Sequence, residues 1–520
     1  MRLERRYLHL PVRTGAPKVR MSLWVGAGVA REFEVELDPV APDFWTFLDL
    51  ASFQGQEAEL RLEGGPAELL AGVEQGDDLK ATDLYAEPLR PQFHFSSRRG
   101  WNNDPNGLVY FQGEYHLYYQ HNPYGWNWGN MHWGHAVSTD LIHWRELPIA
   151  LYPRRFGDWA FSGSAVVDWQ NSAGFQQGEE PVLVAAYTST GRGECITYSL
   201  DRGRSFAEYE GNPVVEHQGR DPKLVWYAPG RHWVMAVYDE VGEQRFIAFY
   251  TSPDLKSWTY QSRLEGYFEC PELFVLPVDG DPQRLKWVVY AADGSYAIGQ
   301  FDGRAFYPDG AKLPFNWGDS FYASQTFSDI PEADGRRIQM AWGRVDMPGM
   351  PFNQMMNFPV ELSLRTTAEG VRMFAEPVRE LAALRAATRV WRDLDLHPGE
   401  NPLAGSEGEL WELEIDFALG AEAVLELVVG GVVVRYEAGG QLLSCGAKQA
   451  PLPPVAGGIR LHLLIDRTSV EIFANRGQVY MPMGIHPEAG RRGLELRCQG
   501  GRAQVRVLRL SALRSIWAPG

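Results

Sequence analysis

Apolar, strand-like runs that end in an aromatic recur through the middle of this chain, at Tyr119, Tyr187, Tyr238, Tyr290 and Trp342. After a longer first interval they return about every 50 residues, and the repeat is made only of strands. A second series keeps step with it. Ser138-Thr139-Asp140 leads to Trp144, Ser199-Leu200-Asp201 to Phe206, Ser252-Pro253-Asp254 to Trp258, and Asp302 to Phe306, the composition of tight turns between strands. A strand-only repeat of this length is one blade of a β-propeller. A single blade cannot bury its own faces, so the copies must close into a ring whose first strands line a central funnel. Five copies imply five blades.

The rest of the chain is also β. Residues 1–88 contain clean alternation such as Phe33-Glu34-Val35-Glu36-Leu37, which reads as a small N-terminal β-sandwich-like domain without obvious chemistry. The propeller takes residues 89–375. A helix near Pro377–Ala387, within a linker over 376–390, leads to renewed alternation from Trp411 to Phe417 and from Ser469 to Phe473. Residues 391–520 therefore read as a C-terminal β-sandwich. The fold class is all-β: a five-bladed β-propeller followed by a C-terminal β-sandwich, with the N-terminal domain added.

Aligned on the repeat, the inner strands open with Asn103-Asp104, Phe161-Ser162-Gly163-Ser164, Arg220-Asp221, Glu269-Cys270 and Phe321-Tyr322. Taken singly, each acid has a bland reading. Asp104 sits in Asn-Asp-Pro-Asn-Gly, the composition of a turn, Asp221 beside Arg220 is an ordinary ion pair, and Glu269 is a blade-edge carboxylate. A shared phase overturns those readings, since it points all three into one cavity. Cleaving a sugar acetal needs an acid for the leaving oxygen and a carboxylate facing the oxocarbenium-like carbon. Asp104 suits the nucleophile, because Asn103 and the backbone N–H groups of its turn can keep it ionised. Glu269 suits the general acid/base, since Phe268, Pro271 and Leu273 offer a setting that raises its pKa. Arg220 would hold Asp221 charged, a state better suited to binding sugar hydroxyls. Glu240, Glu272 and Asp293 read as loop carboxylates.

These motifs, in this order, resemble glycoside hydrolase family 32, the fructan hydrolases and invertases. The resemblance runs from about Pro91 to the C-terminus. It is densest over Gly100–Ala165, through Asn122-Pro123-Tyr124-Gly125, Trp128-Gly129-Asn130-Met131-His132-Trp133-Gly134-His135 and Phe161-Ser162-Gly163-Ser164. It implies a β-fructofuranosidase that works with retention and without metal or cofactor, on levan, inulin or sucrose. By the same resemblance Asp104 is the nucleophile, Asp221 the transition-state stabiliser and Glu269 the acid/base. Asn103, Gln120, Trp128, Phe161, Ser162, Arg220 and Trp342 would contact the fructosyl unit, and Cys270 would tune the acid beside it. Asn102 departs from the family, where an apolar residue is common. The Trp128 block is closer to microbial exo-acting levanases and inulinases than to plant invertases. Fructosyl transfer on the same site is an alternative, as is a non-catalytic fructan-binding protein.

Composition narrows the partners. A net charge of −17 over 520 residues argues against nucleic acid and anionic membranes. No apolar run approaches the length of a membrane span. Cys195, Cys270, Cys445 and Cys498 lie too far apart for a zinc or disulfide framework, and His132 with His135 lacks a third metal ligand at suitable spacing. The start, Met1-Arg2-Leu3-Glu4-Arg5-Arg6, carries no secretory signal, which reads as cytoplasmic unless a leader was removed. A sandwich domain also offers a surface for a homo-oligomer.

Overall fold

In the computed structural model, which describes residues 1–486 and 493–517, the recurrent aspartates cap their own turns. Asp140 accepts the backbone N–H groups of Ile142 and His143, Asp254 those of Lys256 and Ser257, and Asp302 those of Arg304 and Ala305, at 2.7–3.0 Å. In the first two turns the residue after the aspartate, Leu141 or Leu255, takes the left-handed backbone that Gly303 takes in the third. Between them run antiparallel meanders. The first comprises Gly100–Phe111, Glu114–Asn122, His132–Ser138 and Arg145–Leu151, and the second Ala160–Asp168, Val182–Ser189, Gly193–Ser199 and Ala207–Glu208. The third comprises Arg220–Tyr227, His232–Val241, Gln244–Ser252 and Thr259–Glu265.

The remaining propeller strands form one nine-stranded sheet, because Val278 of Glu272–Val278 pairs in parallel with Leu364 of Val360–Thr367. Hydrogen bonding thus delimits four sheets here, and does not by itself yield the five blades expected from the repeat. The ring closes where Phe352–Asn353 runs parallel to the first inner strand and Gly100 N–H donates to the Pro351 carbonyl at 2.9 Å.

Inner strands are tied to one another across the axis by side chains. Gln325 receives the N–H of Leu108 and donates to the Gly163 carbonyl, both at 2.9 Å. Ser164 donates to the Pro222 carbonyl and accepts from Leu224 N–H, both at 2.8 Å. Lys223 meets Glu272 at 2.6 Å and the Thr326 carbonyl at 3.0 Å. Four inner strands also break register near their starts, between Asn102 and Pro105, Ala160 and Gly163, Arg220 and Lys223, and Tyr322 and Gln325. A bulge twists a strand and re-aims the side chains inside it. Asn-Asp-Pro-Asn-Gly is therefore a bulged strand interior and not the turn its composition suggests. Gly163 is required in its motif, since a Cβ there would come within 1.9 Å of the Ala186 carbonyl oxygen.

The linker differs from expectation as well. Gly370–Pro377 is still strand and Arg385–Leu396 is strand again, leaving a single 3-10 helix at Arg379–Leu384. Its buried residues, Leu381 and Leu384, stand one three-residue turn apart. Pro377 has no N–H to give an earlier helical turn.

Two sandwiches flank the propeller. The N-terminal one stacks the sheet of Tyr7–Val12, Phe44–Asp49 and Glu74–Gly76 on that of Val19–Val25, Gly28–Val35 and Ala58–Glu63. The C-terminal one packs a six-stranded sheet on a five-stranded one around a core that includes Leu413, Ile415, Phe417, Leu461 and Ile472.

A buried ionic triad joins this last sandwich to the start of the propeller segment. His94 Nδ1 lies 2.8 Å from Asp466 and its Nε2 lies 2.9 Å from Glu471. Asp466 also accepts the N–H groups of Gln92 and Phe93, and Glu471 that of Phe358 and the Tyr480 hydroxyl. Burial alone would depress the imidazole, but the two carboxylates prevail and raise it from 6.5 to about 9. A histidine raised in this way stabilises the fold fully below its unfolded pKa of 6.5, and that contribution is lost as pH climbs through about 9. Denaturant unfolding of the wild type should therefore weaken across that window. His94→Gln should flatten the profile there and cost about 3–5 kcal/mol at pH 6, because it strips the cation from two buried carboxylates. Equal slopes in the two proteins would sink this account.

Candidate active site

The re-aimed acids meet at the mouth of the inner strands. Asp104, half-buried in the first bulge, accepts the Ser162 hydroxyl on Oδ2 at 2.6 Å and the Asn103 amide on Oδ1 at 3.1 Å. Asn103 is held in turn by the Trp101 indole N–H at 2.8 Å. Ser162 comes from the Phe-Ser-Gly-Ser motif of the second meander, so two adjacent inner strands fix one carboxylate. Side chains, and not the backbone groups of a turn, are its donors. Burial raises the Asp104 carboxyl above its ordinary value, the bonds from Ser162 and Asn103 pull it back, and the charge of Glu269 adds to the rise.

Asp221 is only 6% exposed. Its own N–H donates to Thr188 Oγ1 at 2.9 Å, and its Oδ2 accepts the Cys270 N–H at 3.0 Å. The Cys270 thiol stands 3.5 Å from both Asp104 Oδ2 and Asp221 Oδ2 and so bridges the two carboxylates. Burial, then the charge of Asp104, push Asp221 up to about 7. This corrects the expectation that Arg220 would keep it charged. The Arg220 Nε is 3.9 Å from Asp221, while its Nη2 donates to Glu269 Oε1 at 2.6 Å.

Glu269 also differs from expectation. Leu273 turns into the core with Val289 and Phe249, and Phe268 packs under the guanidinium of Arg245. What touches the Glu269 carboxylate is Arg220 on one oxygen and the Tyr322 hydroxyl, at 2.5 Å, on the other. Its setting is polar and charge-paired, not apolar. Asp221, Glu269 and Cys270 all hold left-handed backbone, with φ of 69°, 56° and 42°. Such residues cost about 1–3 kcal/mol each and gather where function demands a fixed geometry.

Aromatic rings wall the site. Phe161, next to Ser162, meets Trp128 edge to face at 6.1 Å, and Trp128 is 50% exposed. On the other side Trp342 packs against Trp101 at 5.8 Å and Tyr322 at 6.0 Å, with its N–H on Gln354. Gln120 is buried and gives its amide to the Ala160 carbonyl at 2.9 Å, supporting the strand that carries Phe161 and Ser162. These contacts bring Asn103, Asp104, Ser162, Arg220, Asp221, Glu269 and Cys270 together, with Gln120, Trp128, Phe161 and Trp342 packed beside them.

Tyr322 enters the sequence reading only as a repeat marker, although its register with the acids signals more. Thr188 carries no signal in the sequence: it accepts the Asp221 N–H and donates its hydroxyl to Glu194, which meets His217 at 2.8 Å. Glu272, read as a loop carboxylate, is instead buried against Lys223 in the axis.

Residues 94–377 match the family model for the glycosyl hydrolases family 32 N-terminal domain, and residues 380–513 match that for the family 32 C-terminal domain. A levanase of Bacillus subtilis (strain 168) is 39% identical over 496 residues, covering 85% of this chain and 72% of the relative. An extracellular exo-inulinase of Aspergillus ficuum is 29% identical over 520 residues, covering 83% and 96%. Among solved structures, the exo-inulinase from Aspergillus awamori superposes with a TM-score of 0.74 at 27% identity, covering 83% of this chain and 100% of that one. The fructofuranosidase from Schwanniomyces occidentalis complexed with fructose gives 0.75 at 25%, covering 84% and 100%.

Proposed function

Since the chain belongs to glycosyl hydrolase family 32 and is a glycosidase of O-glycosyl bonds, we propose that it removes terminal β-D-fructofuranosyl units from levan, inulin and sucrose, through a covalent fructosyl-enzyme and with retention. The observation that carries this reading is the single cluster in which Cys270 bridges Asp104 to Asp221 while Arg220 and Tyr322 hold Glu269. Retaining glycosidases need two carboxyls flanking the scissile bond, one a nucleophile and one an acid that becomes a base.

In this reading Glu269 gives its proton to the glycosidic oxygen as the bond from fructosyl C2 to that oxygen breaks. Asp104 forms the new bond to C2. Glu269, now a carboxylate, then takes a proton from water, whose oxygen displaces Asp104 from C2, and two inversions return the starting configuration. Ser162 and Asn103 position the Asp104 oxygens for attack. Asp221, with its carboxyl near 7, is partly protonated at neutral pH and can both give and accept a hydrogen bond to sugar hydroxyls. Similarity to enzymes named levanase and exo-inulinase supports fructans as substrates and exo action.

Digests of sucrose, inulin and levan by the pure protein should each release free fructose from the first minutes. Oligosaccharides without fructose would replace exo by endo action, and longer fructans from sucrose would replace hydrolysis by transfer. No product from any of the three would remove the assignment.

A further inference from the structure

Both matched family domains leave residues 1–93 outside, yet the N-terminal sandwich is built onto the loop that carries Trp128. Phe33 stacks on Tyr124 with ring centroids 3.7 Å apart. Asn130 clasps the backbone of Glu34 twice, accepting its N–H at 2.9 Å and donating to its carbonyl at 2.8 Å, and also donates to Asn122. The Thr46 hydroxyl bonds the Pro123 carbonyl. The loop over residues 122–130 is thereby held from behind by this domain.

Between the two lies a small, solvent-open groove, lined by Lys18, Glu34, Glu36, Asn127, Trp128 and Asn130 among others. The strand Gly28–Val35 explains its chemistry. Phe33, Val35 and Leu37 point into the sandwich core, so Glu32, Glu34 and Glu36 alternate onto the face turned to the propeller. Glu32 is used by Arg20 and the Phe156 N–H, and Glu34 stands 3.8 Å from Lys18. Glu36 is only 9% exposed, and its carboxylate has no hydrogen-bond or ionic partner among the described residues. Its oxygens open to solvent at the groove, where they are free to accept hydrogen bonds from a ligand.

We propose that this groove is a sugar subsite beyond the funnel, with Glu36 accepting hydroxyl groups of a fructan whose terminal unit sits on Asp104. It rests on the fructan reading above. Trp128 belongs to both places. It faces Phe161 in the funnel and lines the groove as well, so a chain leaving the funnel passes along its exposed ring. A neutral, hydroxyl-rich ligand fits the lining: a carboxylate accepts from sugar hydroxyls, Lys18 and Asn127 donate, and an indole face takes C–H groups. An anionic ligand does not fit, because Glu34 and Glu36 would repel it. The N-terminal domain is then a determinant of chain-length preference, and sucrose is too short to reach it.

The test compares Glu36→Ala and Glu36→Gln with the wild type on sucrose and on long inulin and levan chains. Glu36→Ala should lower kcat/KM on the long chains roughly tenfold, chiefly through KM, as loss of a hydrogen bond to a charged acceptor predicts. Glu36→Gln should fall between, and sucrose turnover should stay within about twofold of wild type. Titration of Asp104→Asn with an inulin oligosaccharide, with and without Glu36→Ala, should show the same roughly tenfold weakening without turnover. Unchanged long-chain kinetics would overturn the subsite, and so would an equal loss on sucrose, since that marks a structural role. A wild type inactive on every fructan would instead overturn the function on which the subsite rests.

Discussion

Asp104→Asn should abolish turnover of sucrose and fructans, with kcat falling by more than about 10⁴-fold while KM moves little, the pattern of a lost nucleophile. Geometry makes the variant interpretable. Asn has the shape of Asp, and its carbonyl oxygen can still accept the Ser162 hydroxyl now held at 2.6 Å. The protein should therefore fold, and thermal melts should stay close to wild type. A second consequence separates removal of the nucleophile from a general disturbance. The Asp104 charge is one of the two leading causes that push Asp221 up to about 7, so its loss should drop the Asp221 carboxyl. Carbon-detected NMR titration of the variant would read that shift. A kcat within tenfold of wild type would remove Asp104 from the nucleophile role, whatever the melts show.

Much of this site was legible because it depends on phase. Strand repeats place equivalent residues at equivalent points on a ring, so Asp104, Asp221 and Glu269 could be assigned to one cavity without coordinates. What failed were inferences from neighbours in sequence. Phe268, Pro271 and Leu273 flank Glu269 along the chain, but Leu273 faces the opposite side, into the core. The groups that touch the carboxylate come from 49 and 53 residues away, as Arg220 and Tyr322. Arg220 was assigned to Asp221 for the same reason. The register break between Arg220 and Lys223 lets the guanidinium reach across to the next inner strand instead. A bulge has no reliable signature in a single sequence, and here bulges decide which way the functional side chains point. The same holds for Asn-Asp-Pro-Asn-Gly, whose turn-forming residues serve a strand that must bend. One parallel residue pair, Val278 with Leu364, fuses strands that the repeat keeps separate. The groove at Glu36 is not legible in the sequence, where the N-terminal domain shows no obvious chemistry: alternation puts Glu34 and Glu36 on one face, and only the packing of Tyr124 and Asn130 shows what that face meets.

Glu269→Gln should leave a different kinetic signature from Asp104→Asn, although both enzymes will appear inactive on sucrose. The amide can keep its oxygen on Arg220 and donate its N–H to the Tyr322 hydroxyl oxygen, so the site should hold its shape. What is lost is the proton. On sucrose or inulin, whose leaving oxygens need protonation, kcat should fall by about 10²–10⁴-fold. A substrate with a leaving group that departs unaided, such as fructosyl fluoride, bypasses the acid step and should still load Asp104. Deprotonation of the incoming water is then missing, so the fructosyl-enzyme should accumulate and be visible by mass as one added fructosyl unit on the peptide containing Asp104. Azide, an anion that needs no base, should restore turnover and yield a fructosyl azide of retained configuration. Each outcome decides something about this site. If the fluoride is slowed as much as sucrose, Glu269 positions the sugar and does not transfer protons. If the adduct appears on another acid, the nucleophile has been misassigned. If the azide product is inverted and no adduct forms, displacement is direct, and Asp104 must act by holding water or charge and not by bonding to carbon.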